Sequence, residues 1–351
     1  MKRFFSILLA FMLSITLFSC TTPNNSQSGN NDNSSPINSD TGSDKPNPGP
    51  TVPVGHEVIE DQTFSTGFKV MGPSAAENGR TVFKLIDYLG TVDAEQAKWM
   101  MARWNCPDGF NTEDSTEEYV DGKYVYTDSS KVVKVNPETG YLYLELNSSK
   151  VYEHTRQSGE GWPHILIEQN FSELYKIADA TQIIAKISFT LNKVENKIPQ
   201  GEYREDLHAA QFLWYFTLAN DVAEDADPAL VGKRGDYIWY GVPLYDSRHP
   251  EGMDASYNID RGFSGSTNKM IYSMPTTAYL PPVEIGVKYQ VEVDILPYMK
   301  QAFETAQRND CMQNVKFENL VFYYMNLGFE IPGTYDMAAT IEKLSVQFFT
   351  E

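Results

Sequence analysis

The residue best placed to do chemistry is Glu330, a carboxylate inside the apolar run from Leu320 to Thr334. The run is rich in aromatic and β-branched residues and ends at a Pro-Gly turn signal, so it predicts a strand. Alternation would give this strand one polar and one apolar face. The polar face would carry Tyr324, Asn326, Gly328 and Glu330, and the apolar face Tyr323, Met325, Leu327 and Phe329. A carboxylate costs free energy to bury unless it has a partner or a chemical role.

Polar side chains also interrupt three other strand-like segments, and they could complete a site with Glu330. The candidates are Trp162, His164 and Glu168 on 162–170, Gln211 and Tyr215 on 208–217, and Tyr240, Asp246 and Arg248 on 236–248. Structural interpretations compete with these roles. Asp246 and Arg248 are spaced to form an ion pair, Glu330 could pair with a cation at the strand end, His164 and His208 could be structural, and Trp214 and Trp239 are predicted core residues.

The N-terminus is typical of an export signal. Lys2-Arg3 precedes the apolar run Phe4–Phe18, which is short for a membrane span. Leu17-Phe18-Ser19-Cys20 resembles the bacterial lipobox, whose cysteine is lipidated and becomes the first mature residue. The resemblance implies an envelope lipoprotein of Bacteroidetes type, anchored to the outer membrane through Cys20. An ordinary secretory signal with a chance cysteine is the alternative. The acidic export signal of surface lipoproteins is missing from 21–25, so the side of the membrane stays open.

Composition divides the chain into a signal peptide (1–20), a disordered tether (21–57) rich in Asn, Ser, Pro and Gly, and one folded domain (58–351). The formal net charge is −19, and removal of Lys2 and Arg3 would make it more negative. An acidic surface argues against nucleic acid and anionic lipid headgroups as partners, and is compatible with an uncharged one.

Cysteine and metal-ligand patterns are sparse. Beyond Cys20, only Cys106 and Cys311 remain, and they could form a disulfide or stay as two thiols. The acidic loop 221–236 could hold a structural calcium ion, but it lacks an Asp-x-Asp-x-Asp spacing, so a solvated loop is favoured. We expect no cofactor.

Strand signals dominate the folded region. They cover 132–135, 141–146, 164–170, 183–191, 209–219, 237–244, 269–274, 289–295, 320–329 and 338–348. Helices are predicted at 93–104, with Asp93 as N-cap, and at 297–308, with Pro297 in the first turn. Many strands with few short helices predict an all-β antiparallel β-sandwich or jelly roll. If one sheet bends over the other, its concave side forms a groove.

Several short segments are similar to glycoside hydrolase family 12 endoglucanases, which are concanavalin-like jelly rolls. Gly161-Trp-Pro-His-Ile165 resembles their groove strand, and Asn326-Leu-Gly-Phe-Glu-Ile331 resembles the strand that carries the acid/base. Further similarity lies at 183–191, 291–299 and 340–347. The resemblance implies that Glu330 is the acid/base. It also aligns Ala210-Gln-Phe-Leu-Trp214 with the nucleophile strand, where Gln211 replaces the expected glutamate.

Two hypotheses follow from this resemblance. In one, Glu330 is a general acid, Glu168 or Asp246 supplies the base, and the protein hydrolyses glycosidic bonds with a wide carboxylate separation. In the other, the groove binds a polysaccharide or oligosaccharide without cleaving it. Its hydrogen bonds to sugar hydroxyls would then come from Gln211, Asn326, Asp246 and Glu330, and its stacking contacts from Trp162, Tyr215 or Tyr240. His164 and Arg248 are further candidates for ligand contact. A structural envelope component is a third class.

Overall fold

The computed structural model describes residues 55–73, 81–261 and 268–351. The expected signal peptide, Cys20 and most of the tether lie outside this part. Within it the chain forms seventeen strands and two α-helices. The strands are β1 (His56–Glu57), β2 (Phe68–Met71), β3 (Val82–Ile86), β4 (Trp99–Ala102), β5 (Thr116–Val120), β6 (Lys123–Thr127), β7 (Lys131–Asn136), β8 (Tyr141–Asn147), β9 (His164–Lys176), β10 (Gln182–Asn196), β11 (Gln211–Asn220), β12 (Tyr237–Asp246), β13 (Ser256–Ile259), β14 (Met270–Ser273), β15 (Lys288–Asp294), β16 (Leu320–Glu330) and β17 (Tyr335–Phe349). The helices are α1 (Pro228–Val231) and α2 (Leu296–Arg308).

The strands form two sheets. The first has the order β15-β10-β17-β8-β7-β6-β5, with β1 paired to β17. The second has nine strands in the order β13-β14-β12-β11-β16-β9-β4-β2-β3. Neighbours are antiparallel except for β2 with β4 and β12 with β14. The prediction of an all-β sandwich of the jelly-roll type is confirmed.

The core lies between the sheets and is filled by alternate residues of each strand. Phe212, Trp214 and Phe216 of β11 are fully buried there, beside residues of β16. Phe189 of the first sheet meets Phe212 edge to face, with 5.6 Å between ring centroids. Burying one such side chain stabilises the fold by roughly 1.5–3 kcal/mol. The outward-facing residues of these strands therefore occupy the opposite, outer face of the nine-stranded sheet.

Alternation in β16 agrees with the sequence prediction except at one position. Met325, Leu327 and Phe329 are fully buried in the core, as predicted. Tyr323 is half-buried outside it, because the register of β16 against β9 shifts between Phe322 and Tyr324. Such an irregularity lets one residue leave the alternating pattern.

One of the two predicted helices is correct. Helix α2 buries Met299, Ala302, Phe303 and Ala306 on one face, as expected. The predicted helix at 93–104 is wrong. Asp93 does cap a turn, accepting a hydrogen bond from Glu95 N, but the turn is a short 3₁₀ helix ending at Gln96. The chain then enters β4, because Trp99 and Met101 alternate into the core with the period of a strand.

The structure also shows the state of the two cysteines and the local structure of the acidic loop. Cys106 and Cys311 are both buried and both free, so they do not form a disulfide. The acidic loop contains the short helix α1, capped by Asp227. Across residues 55–73, 81–261 and 268–351, no helix is both long and apolar enough to cross a membrane.

Gly328 allows a tight contact between β16 and β9. Its φ is +153°, and a Cβ there would lie 2.1 Å from the carbonyl oxygen of Ile165. We expect Gly328→Ala to lower the free energy of unfolding by about 3 kcal/mol, from overpacking and backbone strain together. Urea denaturation would measure this change.

Gly201 is the matched control. It also has a positive φ, +92°, but no atom lies within 4 Å of its would-be Cβ. Gly201→Ala should therefore cost only the backbone term, about 1 kcal/mol. Equal losses in the two variants would contradict the role given to the close approach.

Candidate functional site

Four polar residues form a line across the outer face of the nine-stranded sheet. Backbone register pairs Glu330 of β16 with His164 of β9 on one side and with Gln211 of β11 on the other. Gln211 in turn pairs with Asp246 of β12. Directly opposite residues of neighbouring antiparallel strands lie about 5 Å apart at Cα. We call His164, Glu330, Gln211 and Asp246 the polar row.

The polar row faces outward because its sequence neighbours face the core. Phe212 and Phe329 adjoin Gln211 and Glu330 and pack against each other, with ring centroids 5.3 Å apart. Exposure differs along the row. The Glu330 side chain is 19% exposed and Gln211 is half-buried, whereas Asp246 is 4% exposed. Glu330 and Gln211 are therefore the members that a ligand can reach most directly.

His164 is held by the backbone on one side and faces Glu330 on the other. Its Nδ1 lies 2.8 Å from the carbonyl oxygen of Trp162, which can only accept, so Nδ1 carries a proton. Its Nε2 lies 3.7 Å from Oε2 of Glu330, which is beyond a direct hydrogen bond. The ring of Trp104 packs at 5.2 Å from that of His164. Glu330 therefore keeps hydrogen-bonding capacity for a ligand.

Both oxygens of Asp246 are engaged. Oδ1 accepts from the backbone N of Arg248 at 2.9 Å and from its Nε at 3.0 Å. Oδ2 accepts from Nη2 of Arg248 at 2.6 Å and from Nε2 of Gln211 at 2.8 Å. Burial alone would raise the pKa of Asp246, but the hydrogen bonds and positive charge of Arg248 outweigh it and hold this pKa below its usual value. The predicted ion pair is present.

Glu168 lies on the outer face but far from Glu330. It pairs with Asn326, four residues before Glu330 on β16, which corresponds to about 13 Å along the strand. The carboxylate is 1% exposed, and its Oε1 accepts a hydrogen bond of 2.6 Å from the Tyr324 hydroxyl. The structure therefore does not bring Glu168 and Glu330 together as an acid and base pair.

Two of the aromatic residues predicted to stack a ligand are not available for it. Tyr240 is fully buried in the core, and its hydroxyl lies 3.0 Å from Sδ of Met274. Trp162 is 3% exposed, with the guanidinium of Arg156 over its ring at 5.1 Å. Tyr240 lies on the core face of β12 because it has the same alternation as the buried residues Ile238 and Val242.

Tyr215 and Asn326 do lie on the outer face, paired with each other in register. Tyr215 is half-buried, and its ring lies against Gly241, where a Cβ would come within 2.5 Å of Cε1. Burial, followed by the negative charge of Glu330, raises the pKa of Tyr215, so its hydroxyl stays neutral. Asn326 is 3% exposed, and its Oδ1 has no hydrogen-bond partner among the described residues.

Sequence reasoning missed two aromatic residues on this face. Trp104 packs next to His164, but it lies in the segment 93–104 that the sequence wrongly predicts to be a helix, so its place on this face was not expected. Trp239 was predicted to be core, but it is half-buried on the outer face and meets Tyr324 edge to face at 5.8 Å. Its neighbours Ile238 and Tyr240 fill the core instead. If Ile238 and Val242 are taken as core residues of β12, strand alternation places Trp239 on the outer face.

Carboxylates such as Glu168, Asp246 and Glu330 are also the side chains that bind metal ions. In the part of the chain that the structure describes, no three His, Cys, Asp or Glu side chains gather as a metal site would require.

Comparison with known proteins gives a likeness in fold only. No protein-family model matches the chain, and no curated protein does. Solved structures similar to it include the endoglucanase Cel12A from Rhodothermus marinus, with a TM-score of 0.35 and 12% identity over 68% of this chain and 97% of that one. A family 12 xyloglucanase from Bacillus licheniformis has a TM-score of 0.37 and 10% identity over 67% and 97%. The family 11 xylanase from Neocallimastix patriciarum has a TM-score of 0.35 and 9% identity over 68% and 97%.

The Asp246–Arg248 pair should matter for stability. Asp246→Asn would leave the largely buried Arg248 cation without its partner, which typically costs about 3 kcal/mol. The depressed pKa of Asp246 contributes stability above its unfolded-state pKa, and this contribution is lost as the pH falls through the folded-state pKa. The variant should therefore differ from wild type at pH 7 and approach it in acid, as measured by urea denaturation across pH.

Asp206→Asn is the matched control, because Arg204 and Asp206 have the same two-residue spacing and the same 2.6 Å contact but are exposed. It should have no measurable effect on stability. If Asp246→Asn were as mild as this control, the polar row would not depend on the buried pair.

Proposed function

We propose that this protein binds a neutral polysaccharide or oligosaccharide on the outer face of its nine-stranded sheet, at the polar row, without cleaving it. The single observation behind this proposal is that Glu330 and Gln211 lie side by side, in register and partly exposed, on a face that also carries partly exposed aromatic rings. Hydroxyl-rich ligands need such acceptors and donors beside apolar surface.

The residue opposite Glu330 argues against a retaining hydrolase. That mechanism needs a second carboxylate about 5–5.5 Å away, as nucleophile. The position facing Glu330 holds Gln211, whose amide cannot form a glycosyl ester. Gln211 also donates its amide hydrogen to Asp246, so its role is to satisfy a buried carboxylate.

The carboxylate at Asp246 is a poor base for an inverting hydrolase. It lies two strands from Glu330, about 10 Å at the backbone, near the upper limit of the usual inverting separation of roughly 6.5–9.5 Å. Arg248 and Gln211 occupy both of its oxygens, and its pKa is lowered. A strong ion pair of this kind takes up protons less readily than a general base must.

The charge of the row favours neutral ligands. Asp246 and Arg248 cancel, while Glu330 faces a histidine 3.7 Å away and keeps its oxygens accessible. An ionised Glu330 would accept hydrogen bonds from sugar hydroxyls and would repel a uronic acid. The chain as a whole is strongly acidic, which acts in the same direction.

Binding assays would test this function. We expect the purified protein to bind at least one neutral polysaccharide from a panel of cellulose, xylan, xyloglucan and mixed-linkage glucan, to ignore polygalacturonate, and to release no reducing ends. Glu330→Gln keeps the shape but removes a charged acceptor, so it should weaken binding about ten-fold in affinity electrophoresis.

Glu292→Gln serves as the control, because Glu292 is an exposed carboxylate of the other sheet, paired with Lys186. It should leave binding unchanged. Reducing-end release that Glu330→Gln abolishes would instead establish the alternative, a hydrolase with Glu330 as general acid. Failure to bind any member of the panel would overturn the proposal and favour a structural role.

We further propose that the domain acts at the bacterial cell envelope, tethered by a lipid on Cys20. The support is the Leu17-Phe18-Ser19-Cys20 sequence after a short apolar run, followed by a polar tether. A lipid anchor would hold the binding face near the outer membrane, on a side that the sequence leaves open.

Membrane fractionation would test the anchor. Cys20→Ser should move the protein from the membrane pellet to the soluble fraction, because the acylated residue is lost. Cys106→Ser is the control, since Cys106 is a buried free thiol of the folded domain, and it should stay in the pellet. A Cys20→Ser protein that still sediments with membranes would contradict a lipid anchor.

A further inference from the structure

Aromatic side chains gather on the outer face at a distance from the polar row. Tyr237 and Trp239 of β12 contact each other edge to face at 5.6 Å, and Trp239 contacts Tyr324 of β16 at 5.8 Å. Tyr323 precedes Tyr324 on β16. The pKa of Tyr237 is raised first by burial and second by electrostatic interaction with Tyr323. We call Tyr237, Trp239 and Tyr323 the aromatic platform.

All three platform residues are half-buried, so each keeps part of its ring surface in solvent. Their position is not a consequence of core packing, because Ile238 and Tyr240 supply the core side of β12. Partly exposed aromatic rings that pack against each other present a flat apolar surface to a ligand. Because their packing already restricts these side chains, binding costs little conformational entropy.

One ion pair lies at the edge of the platform. The ammonium of Lys269 lies over the ring of Tyr237 at 5.0 Å and forms an ion pair with Asp236. Below the platform, the Tyr324 hydroxyl is directed to Glu168. The platform is therefore an apolar surface bordered by an ion pair, which suits the apolar side of a neutral sugar ring.

The platform and the polar row share one face of the same strands. Thr217, which pairs with Trp239, lies six residues after Gln211 on β11, and Tyr324 lies six residues before Glu330 on β16. Six residues of strand correspond to about 20 Å. Only an extended ligand of several sugar units could contact both places at once.

Between the two places, beneath the outer face, lies an unsatisfied polar atom. Asn326 lies four residues from Glu330 and two from Tyr324 on the same face, and it is 3% exposed. Within the described residues its Oδ1 has no hydrogen-bond partner. A buried acceptor of this kind costs free energy unless a donor reaches it.

We propose that the aromatic platform is a second sugar-stacking subsite, so that the protein selects long neutral glycan chains over short ones. This inference rests on the proposed glycan binding at the polar row and adds the length and direction of the ligand. The chain would run along the strands from Glu330, past Asn326, to Trp239.

Calorimetric titration with oligosaccharides of two lengths would test this inference. The probes are cellobiose and cellohexaose, with xylobiose and xylohexaose as a second series. For wild type we expect the hexasaccharide of the bound series to bind at least about ten-fold more tightly than the disaccharide. Trp239→Ala should remove most of that difference, a loss of about ten-fold for the hexasaccharide, and leave the disaccharide unchanged.

Two further variants make the test robust. Tyr323→Ala should lower hexasaccharide affinity in the same direction, and it serves if Trp239→Ala fails to fold. Tyr119→Ala is the control, because Tyr119 is 57% exposed on β5 of the other sheet. It should have no effect at either length.

The outcomes separate this inference from the function on which it rests. Hexasaccharide affinity that is unchanged in both Trp239→Ala and Tyr323→Ala would overturn the second subsite while leaving binding at the polar row intact. A wild-type protein that binds neither length of either series, nor any polysaccharide of the panel, would overturn the proposed function itself.

Discussion

The register between β11 and β16 is the constraint on which the rest of the site depends. It sets Gln211 opposite Glu330 and Tyr215 opposite Asn326. A slip of one residue would turn every polar side chain of one strand into the core. The large residues of the inner faces prevent this, because Trp214 and Leu327 are fully buried and directly paired. The same packing that stabilises the sandwich therefore positions the polar row.

Electrostatics at Asp246 explains why an amide occupies position 211. Gln211 donates a hydrogen bond to a carboxylate that is 4% exposed and already bound by Arg248. A glutamate at 211 would bring a second negative charge to that carboxylate, and like charges at hydrogen-bond distance cannot both ionise without a large cost. The buried ion pair and the amide at position 211 are thus two aspects of one arrangement, in which Gln211 completes the partners of Asp246.

Parts of this structure were predictable from sequence, and the exceptions have physical reasons. The long strand β16 and helix α2 follow their periodicities, because each buries one face over several turns or alternations. Strand β4 has only four residues, too few for the sequence to distinguish its alternation from a helical pattern, and the Asp93 cap signal belongs to a 3₁₀ turn. Side-chain partners were harder to predict. The engagement of Glu168 by Tyr324, 156 residues away, depends on strand order, which local pattern does not contain.

Affinity and specificity would come from different parts of the outer face. The polar row offers few groups to a ligand, because two of its members, Gln211 and Asp246, are hydrogen-bonded to each other. Hydrogen bonds between the protein and a ligand replace hydrogen bonds that both make to water, so each contributes little net free energy. Apolar contact with aromatic rings does not suffer this exchange, so rings such as Trp239 would supply most of the attraction. In the proposed function, a face with apolar contacts and one accessible carboxylate would hold a glycan without breaking it.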